Sequence, residues 1–436
     1  MEGNKRVSVL FIFLIVLIIV FIANIVNSFK KPESENKAIE KNILNDNNQI
    51  AGEISDFKII SSSENEEMEH FFTEYAKLQD IDLEIEYAEN KDIVEMLNSG
   101  EKYDAVWMSD SIWLNMLEDT VHIEDSKSTS VNPIVLAIKK DIVEELNLNE
   151  NDIYSKDIIE KIKEGSLSIC MADATQTNTG ISTYLYFISI ISGTPGVLKS
   201  EYLENKDVKN ELVSIFKEIE ETSSESVLEK LFLNGDYDGI ITYESSIISI
   251  NQELENNNQE TVYALYPKDG VYVSDSPFAY IDNEDSQKKA VFDKLQNYIL
   301  SNNGQQFISS NGRRAWYGGN SNSTNTNIFR TSWGIDIKKD ITSINFQDVE
   351  TMRKAIELYQ SDLAQEIENA KKVKNSEIEN DDIESIENNN VENLENNDLE
   401  SNDIEYDENT NYLGSTEEEI LNSLMKEMRD IFNEET

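Results

Sequence analysis

The sequence predicts a two-lobed α/β clamshell, preceded by one transmembrane helix and followed by a disordered acidic tail. Three observations carry that fold class. Strand-like and helix-like segments alternate between Phe57 and Leu300, which implies mostly parallel sheets with helices on both faces. The alternation runs twice, with extended segments between the runs that are long enough to cross from one lobe to the other. The two ends of the chain break the pattern, one with an apolar run and the other with an excess of acid.

The apolar run comes first. Val7 to Ala23 is interrupted only by Ser8, and Ile25 and Val26 extend it past Asn24. About 20 helical residues span a hydrocarbon core, and the run exceeds the roughly 7–15 residues of a cleaved signal's core. Residues 1–28 are therefore expected to be an uncleaved signal-anchor, single-pass in the plasma membrane, with the bulk of the chain extracellular. Secretion after cleavage at Val26-Asn27-Ser28 is the alternative. Residues 29–55 mix Lys, Glu and Asn without periodicity and read as a linker.

A bilobal domain is expected over residues 56–365. Phe57 to Ile60 reads as a strand, and Glu67 to Leu78 as a helix with Met68, Phe71, Phe72, Tyr75 and Leu78 on one face. Ile81 to Tyr87 alternates apolar and acidic residues, as a half-buried strand does. Lys91 to Leu97 is a short helix, Asp104 to Trp107 a buried strand, and Pro133 to Lys139 a strand long enough to cross between lobes. The second run has strands at Leu167 to Cys170, Asp238 to Thr242, Thr261 to Tyr266 and Pro277 to Ile281. Its helices are Thr179 to Ser192, one after Ser246, and Lys288 to Leu300. Residues 345–365 then present Met352, Ile356, Tyr359 and Leu363 on one helical face.

Residues 366–436 hold 23 acidic residues against 5 basic ones, a net charge of −18. Over 366–414 single aliphatics among Asn and Glu bury too little surface to offset ordering entropy, so this acidic linker is expected to be disordered. Residues 415–436 form an amphipathic helix, capped by Ser415 with Glu418, whose face of Ile420, Leu424, Met428 and Phe432 docks either on the main domain or in a partner's groove.

The whole chain carries 37 basic and 85 acidic residues, a net charge of −48. Nucleic-acid binding needs Lys and Arg to neutralise phosphates, so no nucleic acid is expected as a partner. The single Cys170 makes neither an intramolecular disulfide nor a thiolate cage, and His70 and His122 are the only imidazoles. Neither accompanies a nucleophile-elbow motif. A binding protein is expected and not an enzyme, with no cofactor and no metal site.

Ligands of open α/β sheets sit beyond the carboxyl ends of the strands, at the helix starts. Four such places carry hydroxyls and amides: Ser61-Ser62-Ser63-Glu64, Ser109-Asp110-Ser111, Thr175-Gln176-Thr177-Asn178-Thr179 and Thr242-Tyr243-Glu244-Ser245. Any one is explained by ordinary helix capping, Ser63 with Glu66 for instance. Four at equivalent positions point to a cleft that wraps a small polar or oxyanionic ligand. Tyr243 and Glu244 ligate a hard cation or hold an amine, or form a structural pair. Asp275 and Ser276 mark a second crossing between lobes or a simple turn. Arg313 and Arg314 pair an anion or make surface salt bridges.

Read in order, these loops resemble the type II extracellular solute-binding proteins, the periplasmic-binding-protein-like clamshells. The resemblance rests on Ser62-Ser63-Glu64-Asn65, Tyr103-Asp104-Ala105-Val106-Trp107, Asn132-Pro133, the 174–180 loop, Thr242-Tyr243-Glu244-Ser245, Tyr266-Pro267-Lys268-Asp269-Gly270, Ser274-Asp275-Ser276-Pro277 and Gly312-Arg313-Arg314. Residues 355–360 are similar to the connector of the branch found ahead of von Willebrand A domains in bacterial surface proteins. No Asp-x-Ser-x-Ser motif follows here, and the lipoprotein cysteine of the family is absent. The resemblance implies closure on a small solute about a two-strand hinge, an oxyanion first, with an uncharged or cationic solute as the rival because the chain is so acidic. Ser63, Ser109, Ser111, Thr175, Thr177 and Thr179 would line the cleft, with Tyr243 and Glu244 opposite. Uptake or sensing with a membrane permease follows by analogy. The alternative is an envelope interaction module that holds a protein partner through the acidic arm and terminal helix.

Overall fold

The computed structural model describes residues 55–148, 153–193, 198–235, 237–316, 326–338, 340–344 and 349–376. The expected anchor at 1–28, its linker up to residue 54, the tail from 377 and the helix expected at 415–436 lie outside the described residues. Among the described residues no helix is long and apolar enough to cross a membrane.

Strands β1 (Ser55–Ser62), β2 (Ile81–Ala88), β3 (Ala105–Trp107) and β4 (Ile123–Ser128) come first. They are followed by β5 (Ser130–Lys139), β6 (Ile169–Ala172), β7 (Ile219–Thr222), β8 (Gly239–Tyr243), β9 (Val262–Leu265) and β10 (Val271–Ser274). The remaining strands are β11 (Pro277–Ile281), β12 (Arg314–Ala315) and β13 (Ser343–Ile344).

The first sheet has the order β2-β1-β3-β11-β4, with β1 parallel to β2 and β3, and β11 antiparallel to both its neighbours. Its edge strand β2 keeps the alternation read from sequence, Ile81 buried and Asp82, Glu84 and Glu86 exposed. The helices Glu69–Leu78 and Ser286–Leu300 cover one face. An aromatic core closes it: Phe72 lies 4.9 Å from Trp107, Phe278 lies 4.9 Å from Phe292, and Phe71 stacks on Tyr298 at 4.4 Å. Offset and edge contacts of this kind add about 0.5–1.5 kcal/mol per pair to ordinary burial.

The second sheet runs β13-β10-β5-β8-β6-β7, and β9 and β12 also pair with β5. Strand β5 organises the lobe, because one long strand supplies partners to β8, β9, β10 and β12. The helix Asn178–Ile191 is apolar almost all round, and it is buried over most of its length.

Strand β5 lies wholly in the second sheet, so the crossing expected along Pro133 to Lys139 occurs earlier, at Thr129. There the Thr129 N–H donates to the carbonyls of Asp275 and Ser276, at 3.1 and 3.2 Å. Asp275 and Ser276 thus form a second crossing beside it, leading from β10 to β11. Ser276 takes a left-handed backbone, φ 44°, which costs a residue with a Cβ about 1–2 kcal/mol. Its carbonyl is fixed by donors from Thr129 Oγ1 at 2.6 Å and Trp107 Nε1 at 3.2 Å. A third crossing, beyond the two-strand hinge expected, follows the helix Asn302–Ser310, whose Ile308 belongs to the first lobe's core. It passes through Gly312, φ 84°, into β12.

The helix that begins as Val349–Leu358 widens through a π turn at Tyr359–Leu363 and continues to Ser376. It packs on the second lobe through Met352, Ala355, Tyr359, Leu363 and Ile367. The boundary expected between 365 and 366 falls inside this helix. The apolar stripe still has a face to cover there, with Ile367 buried against the second lobe.

Candidate functional site

The carboxyl ends of the parallel strands in both sheets meet between the lobes. In the first lobe β1 ends at Ser62, whose Oγ accepts from the Glu64 N–H at 3.4 Å. The cap is therefore Ser62 and not Ser63. Ser63 instead donates its hydroxyl to Glu89 Oε1 at 2.8 Å. Asn90, just after β2, donates to Ser62 Oγ at 3.3 Å and to Ser109 Oγ at 2.8 Å, and accepts from Ser109 N–H at 3.1 Å. One amide thus holds three strand ends in register.

From the second lobe, Thr177 caps the helix Asn178–Ile191 by accepting from Gly180 N–H at 3.0 Å. Thr175 donates to Asp173 at 2.9 Å, and Thr179 lies 3.4 Å from Thr177, hydroxyl to hydroxyl. Asn178 faces the other lobe: its Oδ1 accepts from Trp113 Nε1 at 2.7 Å. Its Nδ2 donates to Tyr243 Oη at 2.7 Å and to Ser274 Oγ at 2.9 Å. Tyr243 then donates to Glu64 Oε2 at 2.6 Å. The chain Trp113–Asn178–Tyr243–Glu64 crosses the cleft twice.

Two predicted site residues have their carboxylates taken up by protein donors. Glu244 is fully buried inside the second lobe, where Arg314 donates Nε to its Oε1 and Nη2 to its Oε2, both at 2.8 Å, and Tyr266 also donates. Asp275 accepts from Ser111 N–H at 2.8 Å, Ser111 Oγ at 2.6 Å and Ser128 Oγ at 2.5 Å, so its carboxylate is a clamp at the second crossing. The two arginines are buried and not at the surface. Arg313 pairs with Glu67 at 2.8 Å and donates to Asn65 Oδ1 at 2.9 Å, Ser276 Oγ at 3.2 Å and the Glu64 carbonyl.

Burial of the Glu64 carboxyl raises it to about 7, with the charge of Glu89 adding to the effect and the Tyr243 hydroxyl opposing it. Burial likewise raises Asp110 to about 8, helped by the charge of Asp275. Glu225, at the start of the helix after β7, accepts from Thr242 Oγ1 at 2.8 Å. It stands well above the usual carboxylate range, first through burial and then through the charge of Glu64. Glu64 Oε1 and Glu225 Oε1 are buried atoms with no hydrogen-bond partner. The sequence singled out neither Asn90 nor Glu225. The strand-end rule that found the other loops also covers the ends of β2 and β7.

Beside the hinge an open cavity of about 580 Å³ lies between Asp110, Ser111, Tyr272, Asp275 and Trp316. Among the described residues no group of three or more His, Cys, Asp or Glu is placed to hold a metal ion. Cys170 is buried in β6, its thiol raised to about 12 by burial. The arrangement gathers hydroxyls, amides and buried carboxyls at the strand ends of the two lobes.

Residues 59–314 match the family described as bacterial extracellular solute-binding protein. No curated protein matches the sequence. Among solved structures, iron-bound HitA from Pseudomonas aeruginosa superposes with a TM-score of 0.52 at 10% identity, covering 72% of this chain and 99% of that one. A periplasmic thiamin binding protein gives 0.50 at 12% identity, with 73% and 96% covered. A ferric binding protein from Campylobacter jejuni gives 0.50 at 14%, with 70% and 98% covered. These likenesses show the fold of the periplasmic binding proteins, two α/β lobes around a cleft.

Proposed function

This chain belongs to the bacterial extracellular solute-binding protein family, and we propose that it captures a small polar solute in the interlobe cleft for uptake or sensing with a membrane permease. The observation that carries this reading is the hydrogen-bond chain from Trp113 through Asn178 and Tyr243 to Glu64, which ties the two lobes together at the ends of their strands. A solute that supplies donors and acceptors at that seam favours the closed form over the open one, and closure is the signal a permease or sensor reads.

We assign Ser62, Ser63, Ser109, Ser111, Thr175, Thr177, Asn178, Thr179 and Tyr243 to the cleft. Glu244 and Asp275 have their oxygens taken up by protein donors; Glu244 is assigned to the interior of the second lobe and Asp275 to the crossing between the lobes. The apolar run at 7–26 supports attachment to the membrane, with the binding domain outside. Residues 355–360 support a place in the branch found ahead of von Willebrand A domains. The protein acts by binding alone, a reading supported by the exposure of His70 and the burial of Cys170 away from the cleft.

The test is a thermal-shift screen of the full chain against oxyanions, amino acids, sugars, polyamines and divalent metals. A ligand at 100 times its dissociation constant adds about 2.7 kcal/mol to stability. At least one class should raise the melting temperature, and Ser109→Ala or Thr177→Ala should shrink that rise. A flat screen on folded protein refutes the receptor reading for those classes.

A further inference from the structure

The receptor reading leaves the ligand's charge open, and the following inference rests on that reading. We propose that the cleft takes an organic cation bearing several N–H donors, an amine or guanidinium compound, seated between Glu64 of the first lobe and Glu225 of the second. Consecutive residues at the end of β8 hold the two carboxyls, Tyr243 donating to Glu64 at 2.6 Å and Thr242 to Glu225 at 2.8 Å, and the charge of Glu64 acts on Glu225. Each also keeps one oxygen, Oε1, out of contact with water and without a donor. A buried acceptor left empty is costly, and a ligand N–H relieves it at each end.

An oxyanion meets the opposite situation. It needs donors, and those at the seam are already engaged: Tyr243 Oη donates to Glu64, Asn178 Nδ2 to Tyr243 and Ser274, and Ser63 Oγ to Glu89. The arginine that acts on Glu64 is Arg313, whose guanidinium is turned to Glu67, Asn65, Ser276 and the Glu64 carbonyl. A bare metal ion requires ligands that converge within about 2.0–2.6 Å of one point, and no group of three or more candidate side chains does so among the described residues. An amine or guanidinium compound spreads its donors over several ångströms, which matches carboxyls arriving from different strand ends.

The test uses the full chain and three sets of probes: putrescine, spermidine and agmatine; molybdate, sulfate and phosphate; glucose and ribose. Binding is read by thermal shift and by calorimetry at pH 6 and pH 8. The groups facing Glu64 are Glu89, Tyr243, Ser109 and Arg313, and those facing Glu225 are Glu64, Glu89, Glu229 and Thr242. A cation from the first set should bind at least tenfold more tightly at pH 8 than at pH 6, with release of protons. Glu64→Gln and Glu225→Gln should each weaken it tenfold or more while circular dichroism shows an unchanged fold. Binding of an oxyanion or a sugar that survives Glu225→Gln overturns the ligand class and leaves the receptor reading standing. No binding by any of the three sets, on folded protein, counts against the receptor reading itself, and the inference falls with it.

Discussion

Arg314→Ala should destabilise the protein by about 3–5 kcal/mol, several times what an exposed arginine is worth. Arg314 is 7% exposed and Glu244 0%, and the guanidinium grips the carboxylate with two bonds of 2.8 Å. The same guanidinium donates to the Asp336 carbonyl at 3.0 Å, joining β12 to the segment before β13. Removing it leaves a carboxylate sealed in the second lobe with the Tyr266 hydroxyl still donating but no counter-charge. The cost is mainly that stranded charge and only secondarily the lost pair. With a urea slope of about 3 kcal/mol/M, the unfolding midpoint followed by tryptophan fluorescence should fall by roughly 1–2 M. Pairing Arg314→Met with Glu244→Leu should recover most of the loss, since it removes both charges and keeps the volume. A midpoint that moves by less than about 0.3 M in Arg314→Ala, or a double variant no better than the single, would refute the argument that the buried charge is what matters.

Three further outcomes are expected. Because burial raises Glu64 to about 7 and Asp110 to about 8, the folded chain holds protons there that the unfolded chain has released. What these groups add to stability without ligand should then be complete below about pH 4 and be lost as pH rises to about 8, and Glu64→Gln should flatten part of that loss in a melting series; a rise over the same range would contradict the burial of these groups. A Cβ on Gly180 would overlap the carbonyl oxygen of Asp173 and crowd that of Ala172. Gly180→Ala should accordingly cost about 2 kcal/mol or more, despite alanine's better helix propensity, and a variant as stable as the parent in urea would show the loop to be looser than described. Trp113→Phe removes the donor to Asn178 Oδ1 and leaves a buried acceptor open, at about 1–3 kcal/mol; its ligand dissociation constant should rise by tenfold or more, and an unchanged constant would take Asn178 out of the closing seam.

Local pattern was informative where one face meets solvent and the other does not. The alternation at Ile81, Leu83 and Ile85 and the apolar length of Asn178–Ile191 gave a strand and a helix where the structure has them. The helices Ser155–Lys163 and Lys206–Phe216 carry equally clear stripes, Ile158, Ile159 and Ile162 in one and Val208, Leu212 and Ile215 in the other, and were legible in principle. Strand β4 was not. Its residues, Ile-Glu-Asp-Ser-Lys-Ser, are mostly polar and exposed, and they are extended because β11 supplies the ladder.

The sequence by itself determined the alternation of strands and helices, the hydroxyl-rich loops at the strand ends, the acidity, and the scarcity of histidine and cysteine. It could not decide which of those loops meet or which polar groups are used up inside the protein. Arg313 and Arg314 are neighbours in the chain, yet one reaches Glu67 in the first lobe and the other Glu244 in the second. Glu64 and Tyr243 lie 179 residues apart and share a hydrogen bond. Such pairings depend on where three crossings set one sheet against the other, a property of packing over the whole domain that no local period encodes. The same packing buries one oxygen each of Glu64 and Glu225 without a hydrogen-bond partner.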